Sequence, residues 1–329
     1  MQKSHKFGSK VQAFKPKLDI LQKNDWFNKN FDISKLEFLG KGSFGQVFSI
    51  YHLKFKRRVA VKIIEAEPEG FNEIINELVK MKSLTHPNIL GVLEHSIIIH
   101  DKLHFLLLVM EQGLMSLDSY LNQNPVGPVG MNEDELCLAI DSLSSAISYT
   151  HQQRIVHCDI KPGNVILFQN DSQNNKSGYC LKISDWGSAY EYKEFNNNKA
   201  TSVKPGMSFT PWFLAPELHI LDKAGKGNFF AGDVYALGIT FLCCAGIKGK
   251  EIIDFSVEQS QEIYEDKLKK LLDLLRKKGI SHVTQEKIKS MIKFNSKDRT
   301  LSNSQIEVKL ILYFNNFRRI MISFTPLKN

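Results

Sequence analysis

Asp159, Lys161 and Asn164 fall within one short run, His157-Cys158-Asp159-Ile160-Lys161-Pro162-Gly163-Asn164, and Asp185-Trp186-Gly187 follows it. No other stretch constrains the fold as strongly. At this spacing an acid, a cation and a metal-binding amide can surround one transferring phosphate, and a second carboxylate can share the metal. The whole ordered set weighs against a scatter of loop polars.

The rest of the chain divides into a strand-rich part and a helix-rich part. Leu36-Phe38, Gln46-Tyr51, Val59-Ile63, Ile97-Ile99 and Phe105-Val109 read as strands. The spacing of Ile75, Leu78, Val79, Met81 and Leu84 predicts a helix over 71–84. His86-Pro87 stops it, because the residue before proline is pushed out of the helical region. Beyond Gly113, residues Leu136, Ile140, Leu143, Ile147 and Tyr149 give 133–152 one apolar face. Segments 232–245, 257–277 and 285–294 also read as helices. The first is apolar almost all round, which places it at the centre of a lobe. Strands segregated from helices define the α+β class. Residues 1 to about 32 are rich in Lys and Asn and read as an extension outside the core. The stretches 169–178 and 191–205 read as polar insertions.

Composition narrows the partners. With 43% apolar and 24% charged residues the 329-residue chain is that of a folded protein. The net charge of +8 reads as lysines spread over solvated helix faces. No lysine run alternates with stacking aromatics, so nucleic acid is not expected as a partner. Five cysteines without regular spacing argue against a disulfide framework and for a reducing, cytoplasmic compartment. Residues 1–24 carry six lysines and no long apolar run, so no signal peptide is expected. Ile97-Ile99 and Phe105-Met110 are too short to span a bilayer.

Further motifs complete the set. Gly40-Lys41-Gly42-Ser43-Phe44-Gly45-Gln46-Val47 fits G-x-G-x-x-G-x-V. A dinucleotide loop would run from strand into helix, whereas this one runs from strand into strand, and no Gly-Lys-Ser/Thr closes it. In Val59-Ala60-Val61-Lys62, Ala60 and Lys62 share a face. Thr210-Pro211 and Ala215-Pro216-Glu217 follow the second aspartate.

In this order the motifs make residues 36–315 resemble the eukaryotic protein kinase family, of serine/threonine type. The resemblance implies a two-lobed α+β fold over 33–318. A small antiparallel-sheet N-lobe with one main helix would span about 33–112, and a mostly helical C-lobe 113–318. A basic extension, 1–32, and a tail, 319–329, would flank them. It implies transfer of the γ-phosphoryl group of ATP, with Mg2+, to Ser or Thr of protein substrates. Gly40, Gly42 and Gly45 would cover the phosphates. Val47, Ala60, Met110, Glu111, Gly113 and Ile166 would line the nucleotide site, with Glu111-Gln112-Gly113 as its hinge. Lys62 would orient the phosphates, paired with Glu77 or, one turn earlier, Glu73. Asp159 would be the base, Lys161 would neutralise charge on the γ-phosphate, and Thr210 would contact them. Asn164 and Asp185 would hold the metal. Asp233 would hold the catalytic loop, and Arg299 would pair with Glu217.

Three residues depart from the family pattern. Cys158 stands where most members carry an arginine that pairs with a phosphate on the activation segment. A neutral thiol cannot form that pair, so activity is expected not to depend on activation-segment phosphorylation. Trp186 replaces a phenylalanine, and its ring is expected to stack in a column with His157 and Met81. Phe209 replaces a glycine. A pseudokinase, acting as a nucleotide-binding scaffold or allosteric partner, would also accommodate these changes. The intact Lys62, Glu77, Asp159, Asn164 and Asp185 favour catalysis.

Overall fold

Apolar residues alternate in the first half of the chain, and the strands they form pair into one antiparallel sheet. The computed structural model describes residues 19–41, 45–100, 103–123, 130–169, 178–192, 201–202, 209–219, 226–247 and 249–301. A short helix, α1 (Asp25–Asn30), is capped by Asn24, whose side chain accepts the Phe27 N–H. The strands are β1 (Phe31–Lys41), β2 (Gln46–His52), β3 (Arg57–Ala66), β4 (Val92–His100) and β5 (Leu103–Glu111), ordered β1-β2-β3-β5-β4. Helix α2 (Phe71–Ser83) interrupts them between β3 and β4.

Each face of this sheet has its own core, because successive side chains point to opposite sides. Phe48, Ile50, Val59, Val61, Phe105, Leu107 and Val109 cluster on one face. Leu21, Phe27 and Phe31 are buried in that same cluster. The second half of the stretch read as an extension outside the core is thus part of the small lobe's packing. Each such side chain contributes roughly 1.5–3 kcal/mol by leaving water. On the opposite face Ile64, Leu106, Leu108 and Met110 join Leu78 and Met81 of α2 in the main core.

The second half is helical. Short strands β6 (Met115–Ser116), β8 (Val165–Gln169) and β9 (Tyr179–Ile183) form one small sheet, and β7 (Ile155–Val156) pairs with β10 (Tyr190–Glu191). Helix α3 (Leu117–Asn122) precedes α4 (Glu133–Gln152), which starts on a full capping box between Asn132 and Glu135. The central helix α5 (Phe229–Cys244) is buried on nearly every side, as its apolar composition requires. An antiparallel sheet with one main helix, followed by a helical lobe, is the two-lobed α+β fold.

Several boundaries differ from the sequence reading. A helix that was not expected, α6 (Lys250–Ser256), precedes the one expected over 257–277, which starts later, as α7 (Gln261–Lys277). The Glu258 carboxylate accepts the N–H groups of Gln259 and Ser260 and so delays the start of α7. The last helix, α8 (His282–Met291), starts earlier than expected because Ser281 caps it through the Thr284 N–H. Strands β1 and β4 are longer than their apolar segments. Most of the two polar insertions lies outside the described residues. No described helix is long and apolar enough to cross a membrane, and none of the five cysteines is joined in a disulfide.

Candidate active site

The alternation in β3 builds one wall of a cleft between the lobes. Ala60 and Lys62 turn towards it, and Val59 and Val61 are buried on the far face. Ala60 pairs with Met110 and Lys62 with Leu108 on β5, while Val47 of β2 stands opposite Lys62. These pairings bring Val47, Ala60, Lys62 and Met110 to one open cleft, with Glu111, Gly113 and Ile166 also on its wall. A concave space of this kind, apolar with a few convergent polar groups, suits a small molecule.

Two of the glycines are required by close approach. A Cβ on Gly45 would lie 2.5 Å from the Ile63 carbonyl oxygen, so the loop end rests directly on β3. A Cβ on Gly113 would lie 2.3 Å from Ile166 Cγ2 and 2.7 Å from the Leu167 oxygen. Gly40 lines the cleft; Gly42 lies outside the described residues. The Glu111 side chain accepts from Lys182 Nζ at 2.6 Å, which ties the end of β5 to β9.

Lys62 is buried, and its ammonium donates to Asp185 Oδ1 at 2.8 Å. Burial alone would raise the Asp185 carboxyl. The positive charge of Lys62, aided by His157 and Lys161, more than offsets this and holds its pKa below the ordinary value. Asp185 is therefore an anion at neutral pH. Glu77 and Glu73 lie on α2, but their side chains are outside the described residues.

Asp159 sits at the centre of a closed hydrogen-bonded cluster. Its Oδ1 accepts from Thr210 Oγ1 at 2.6 Å, and its Oδ2 accepts from Lys161 Nζ at 2.7 Å and Asn164 Nδ2 at 3.0 Å. Lys161 also donates to Thr210 Oγ1 at 2.8 Å. Asn164 Nδ2 donates in addition to the Asp159 carbonyl at 2.7 Å. Both amide hydrogens of Asn164 are thereby used, and its Oδ1 is the donor atom left for a ligand. Asn164 and Asp185 line the same cleft. Two oxygen donors, one of them ionised, fit Mg2+, which takes few protein ligands and completes its shell with phosphate and water. Among the described residues no cluster of three or more His, Cys, Asp or Glu is placed to hold an ion.

The loop carrying these residues holds an uncommon backbone. Cys158 has φ +69° and Asp185 φ +62°, a left-handed conformation that costs a non-glycine residue about 1–2 kcal/mol. Such a conformation persists where its surroundings over-determine it. For Cys158 the determinant is Asp233 of α5. One Asp233 oxygen accepts the Cys158 N–H at 2.9 Å, and the other accepts the His157 N–H at 2.8 Å and His151 Nε2 at 3.0 Å. His157 Nε2 in turn donates to the Ser184 carbonyl at 3.0 Å. Its ring packs on that of Trp186, centroids 4.6 Å apart, and Met81 is buried in the same core. Ser184 donates to the Asn164 carbonyl through its N–H and hydroxyl, at 2.8 and 3.0 Å.

Sequence reasoning missed Ser184, His151 and Lys182. Each acts by touching a residue distant in the chain, and none carries a motif that would mark it. Phe209, which stands where the family carries a glycine, stacks on Phe229 with centroids 5.8 Å apart and planes at 12°. Further from the cleft, Arg299 grips Glu217 through both Nη atoms at 2.7 Å.

A model of the protein kinase domain matches residues 33–310. Over 310 residues the chain is 28% identical to calcium-dependent protein kinase 5 of Plasmodium berghei, covering 92% of this chain and 50% of that protein. It is 28% identical over 231 residues to myosin light chain kinase family member 4 of Mus musculus, covering 69% and 54%. It is 30% identical over 225 residues to mitogen-activated protein kinase kinase kinase 5 of Homo sapiens, covering 68% and 15%. The chain spans about half the length, or less, of these curated relatives.

Proposed function

The chain belongs to the protein kinase family, and we propose that it is a catalytically active serine/threonine kinase that uses ATP and Mg2+. The observation that carries this reading is the closed cluster of Asp159, Lys161, Asn164 and Thr210, with the Lys62–Asp185 pair across the cleft. Phosphoryl transfer asks for positioning and charge stabilisation rather than strong basicity, and a cluster of this kind supplies both.

In the proposed reaction the nucleotide lies in the cleft lined by Val47, Ala60, Met110 and Ile166, and Lys62 orients its phosphates. Asp159 accepts the proton of the substrate hydroxyl as that oxygen bonds to the γ-phosphorus. The bond from the γ-phosphorus to the β,γ-bridging oxygen breaks, and ADP leaves. Lys161 offsets the charge gathering on the transferred group. Thr210 keeps Asp159 Oδ1 in register for the incoming hydroxyl. Asn164 and Asp185 would hold Mg2+, which supplies charge neutralisation at the phosphates. The ionised state of Asp185 supports that role. Preference for Ser and Thr rests on Lys161 and its bond to Thr210.

Cys158 carries no charge to meet a phosphate. The apolar stack of Phe209 on Phe229 takes part in fixing the end of the segment, beside Cys158 on the wall of one small void. Activity independent of activation-segment phosphorylation follows. Five cysteines outside any disulfide support a reducing, cytoplasmic setting.

The test is incubation with Mg2+, labelled ATP and a generic Ser/Thr-rich protein, beside Asp159→Asn. Label on Ser or Thr that is lost in the variant is the expected result. No transfer from a protein that still binds Mg2+-ATP would overturn catalysis and leave a nucleotide-binding scaffold.

A further inference from the structure

Charge is distributed unevenly along the chain. Residues 1–60 hold 13 of its 43 lysines and arginines but 4 of its 35 acids, a net +9, and all the other residues together sum to −1. The excess is therefore not spread over the helices of the large lobe, as the sequence reading had it. Part of it is folded into the turn between β2 and β3, Leu53-Lys54-Phe55-Lys56-Arg57. Lys54 meets Glu94 at 2.9 Å, whereas Lys56 and Arg57, both exposed, pair with no described acid. Leu53 stands 44% exposed beside them. Its N–H donates to the Asn30 carbonyl at 2.8 Å, which brings the end of α1, with the exposed Lys29, to the same turn. Residues 1–18 add five lysines and no acid, and they lead into Leu21, buried with α1 against the sheet.

We propose that this end of the small lobe is a docking surface for a membrane rich in anionic phospholipid. Charge complementarity carries the inference, since a confined block of cations fits a plane of negative headgroups. Each lysine or arginine held near such a surface strengthens binding about fivefold, so several acting together give an attraction that one surface cation does not. Two side chains favour a bilayer over nucleic acid. The exposed Leu53 gains by entering the headgroup region and has no such gain against a phosphate backbone. The aromatic ring of the turn, Phe55, is stacked on His52 with centroids 4.1 Å apart and planes at 24°, so it is not presented to a base. The placement also leaves the reaction centre free. Strand β2 separates His52, next to the turn, from Gln46, next to the glycine-rich loop, by about 20 Å. Helix α1 packs on the face of Val59 and Val61, opposite the face of Ala60 and Lys62 that lines the cleft. A docked molecule therefore keeps its cleft open.

The experiment is flotation of the full chain with vesicles of phosphatidylcholine, alone or with about one-third phosphatidylserine, in about 0.1 M NaCl. Binding to the phosphatidylserine vesicles alone is expected, and it should fall steeply in about 0.5 M NaCl, where screening is stronger. Lys56→Ala with Arg57→Ala should lower affinity for these vesicles about twentyfold, and Lys56→Glu with Arg57→Glu further. Lys269→Ala with Lys277→Ala makes the same change in net charge at exposed positions of α7 and should leave affinity as it is. Leu53→Ser should weaken vesicle binding severalfold. No binding in 0.1 M NaCl, equal binding to both kinds of vesicle, or equal losses from the α7 pair and the turn pair would overturn the docking surface. Tighter binding to a DNA duplex than to the vesicles, lost with the turn pair and untouched by Leu53→Ser, would overturn it too and assign the turn to nucleic acid. Asp159→Asn should float with the vesicles like the parent, so this result and that of the phosphotransfer assay stand or fall separately.

Discussion

Glu217→Ala removes the carboxylate that faces Arg299, and the structure sets the size of the effect. The guanidinium has no exposed surface and stands 2.7 Å from each carboxylate oxygen. Deleting one partner of a buried ion pair costs about 3–5 kcal/mol, because the other charge is left without compensation. Two features move this case to the lower end. Arg299 keeps the carbonyls of Lys293, Phe294 and Ala231, at 2.7, 2.8 and 3.2 Å, and lies over the Tyr235 ring at 4.9 Å. Glu217 is 27% exposed, so water can follow the truncation. A loss of about 3 kcal/mol is expected, a large share of the ~5–15 kcal/mol of a whole domain. Glu217→Gln retains one acceptor but no charge and should cost less, about 2 kcal/mol. Urea unfolding reads both as a fall in midpoint at constant slope. Because the Arg299 guanidinium is buried, the loss should persist in 1 M NaCl. Lys270→Ala breaks an exposed pair with Asp266 and should shift nothing measurable. A Glu217→Ala loss below about 1 kcal/mol, one that vanishes in salt, or Gln costing more than Ala, would refute the argument.

Replacing Thr201, Ser202 and Ser208 together with Ala should leave activity within about tenfold of the parent, some 1.4 kcal/mol of barrier. A larger loss in a kinase assay would mean that the segment does need a phosphate. Gly113→Ala should cost about 1–3 kcal/mol in thermal unfolding, since its Cβ would meet backbone at 2.7 Å. Gly40→Ala, where a Cβ meets no protein atom within 4 Å, should fold normally, and equal losses at the two sites would contradict the packing. His52 is buried between the rings of Phe31 and Phe55. Burial lowers its pKa although Glu94 pulls the other way, so below about pH 6.5 the unfolded chain binds the extra proton first. Stability from neutral His52 is thus complete above that pH and declines as pH falls. The Tm of the parent should drop more steeply between pH 7 and pH 5 than that of His52→Gln, and parallel profiles would exclude His52 as the cause.

Residues that act through near neighbours in the chain were legible in the sequence. Lys161 and Asn164 reach the Asp159 carboxylate from the same short loop, and Ala60 and Lys62 share a face because strand side chains alternate. The central helix was legible too, since an all-apolar segment has only a core to lie in. Ends of elements were less so. The helix expected from Val257 starts only at Gln261, because one carboxylate, Glu258, takes two backbone N–H groups ahead of it.

The sequence by itself therefore determined which chemical groups the chain offers and the order in which they come. Hydrophobic period and short-range spacing are properties of neighbouring residues, and both survive in a string of letters. The tertiary structure alone decided which groups meet. Asp185 reaches Lys62 across a separation of 123 residues, and Asp233 of α5 holds Cys158 at a left-handed φ. Leu21 and Phe27 belong to the small lobe's core, although their Lys- and Asn-rich surroundings read as solvated. In each case the deciding quantity is burial against a distant partner, and burial is set only when the whole chain has packed.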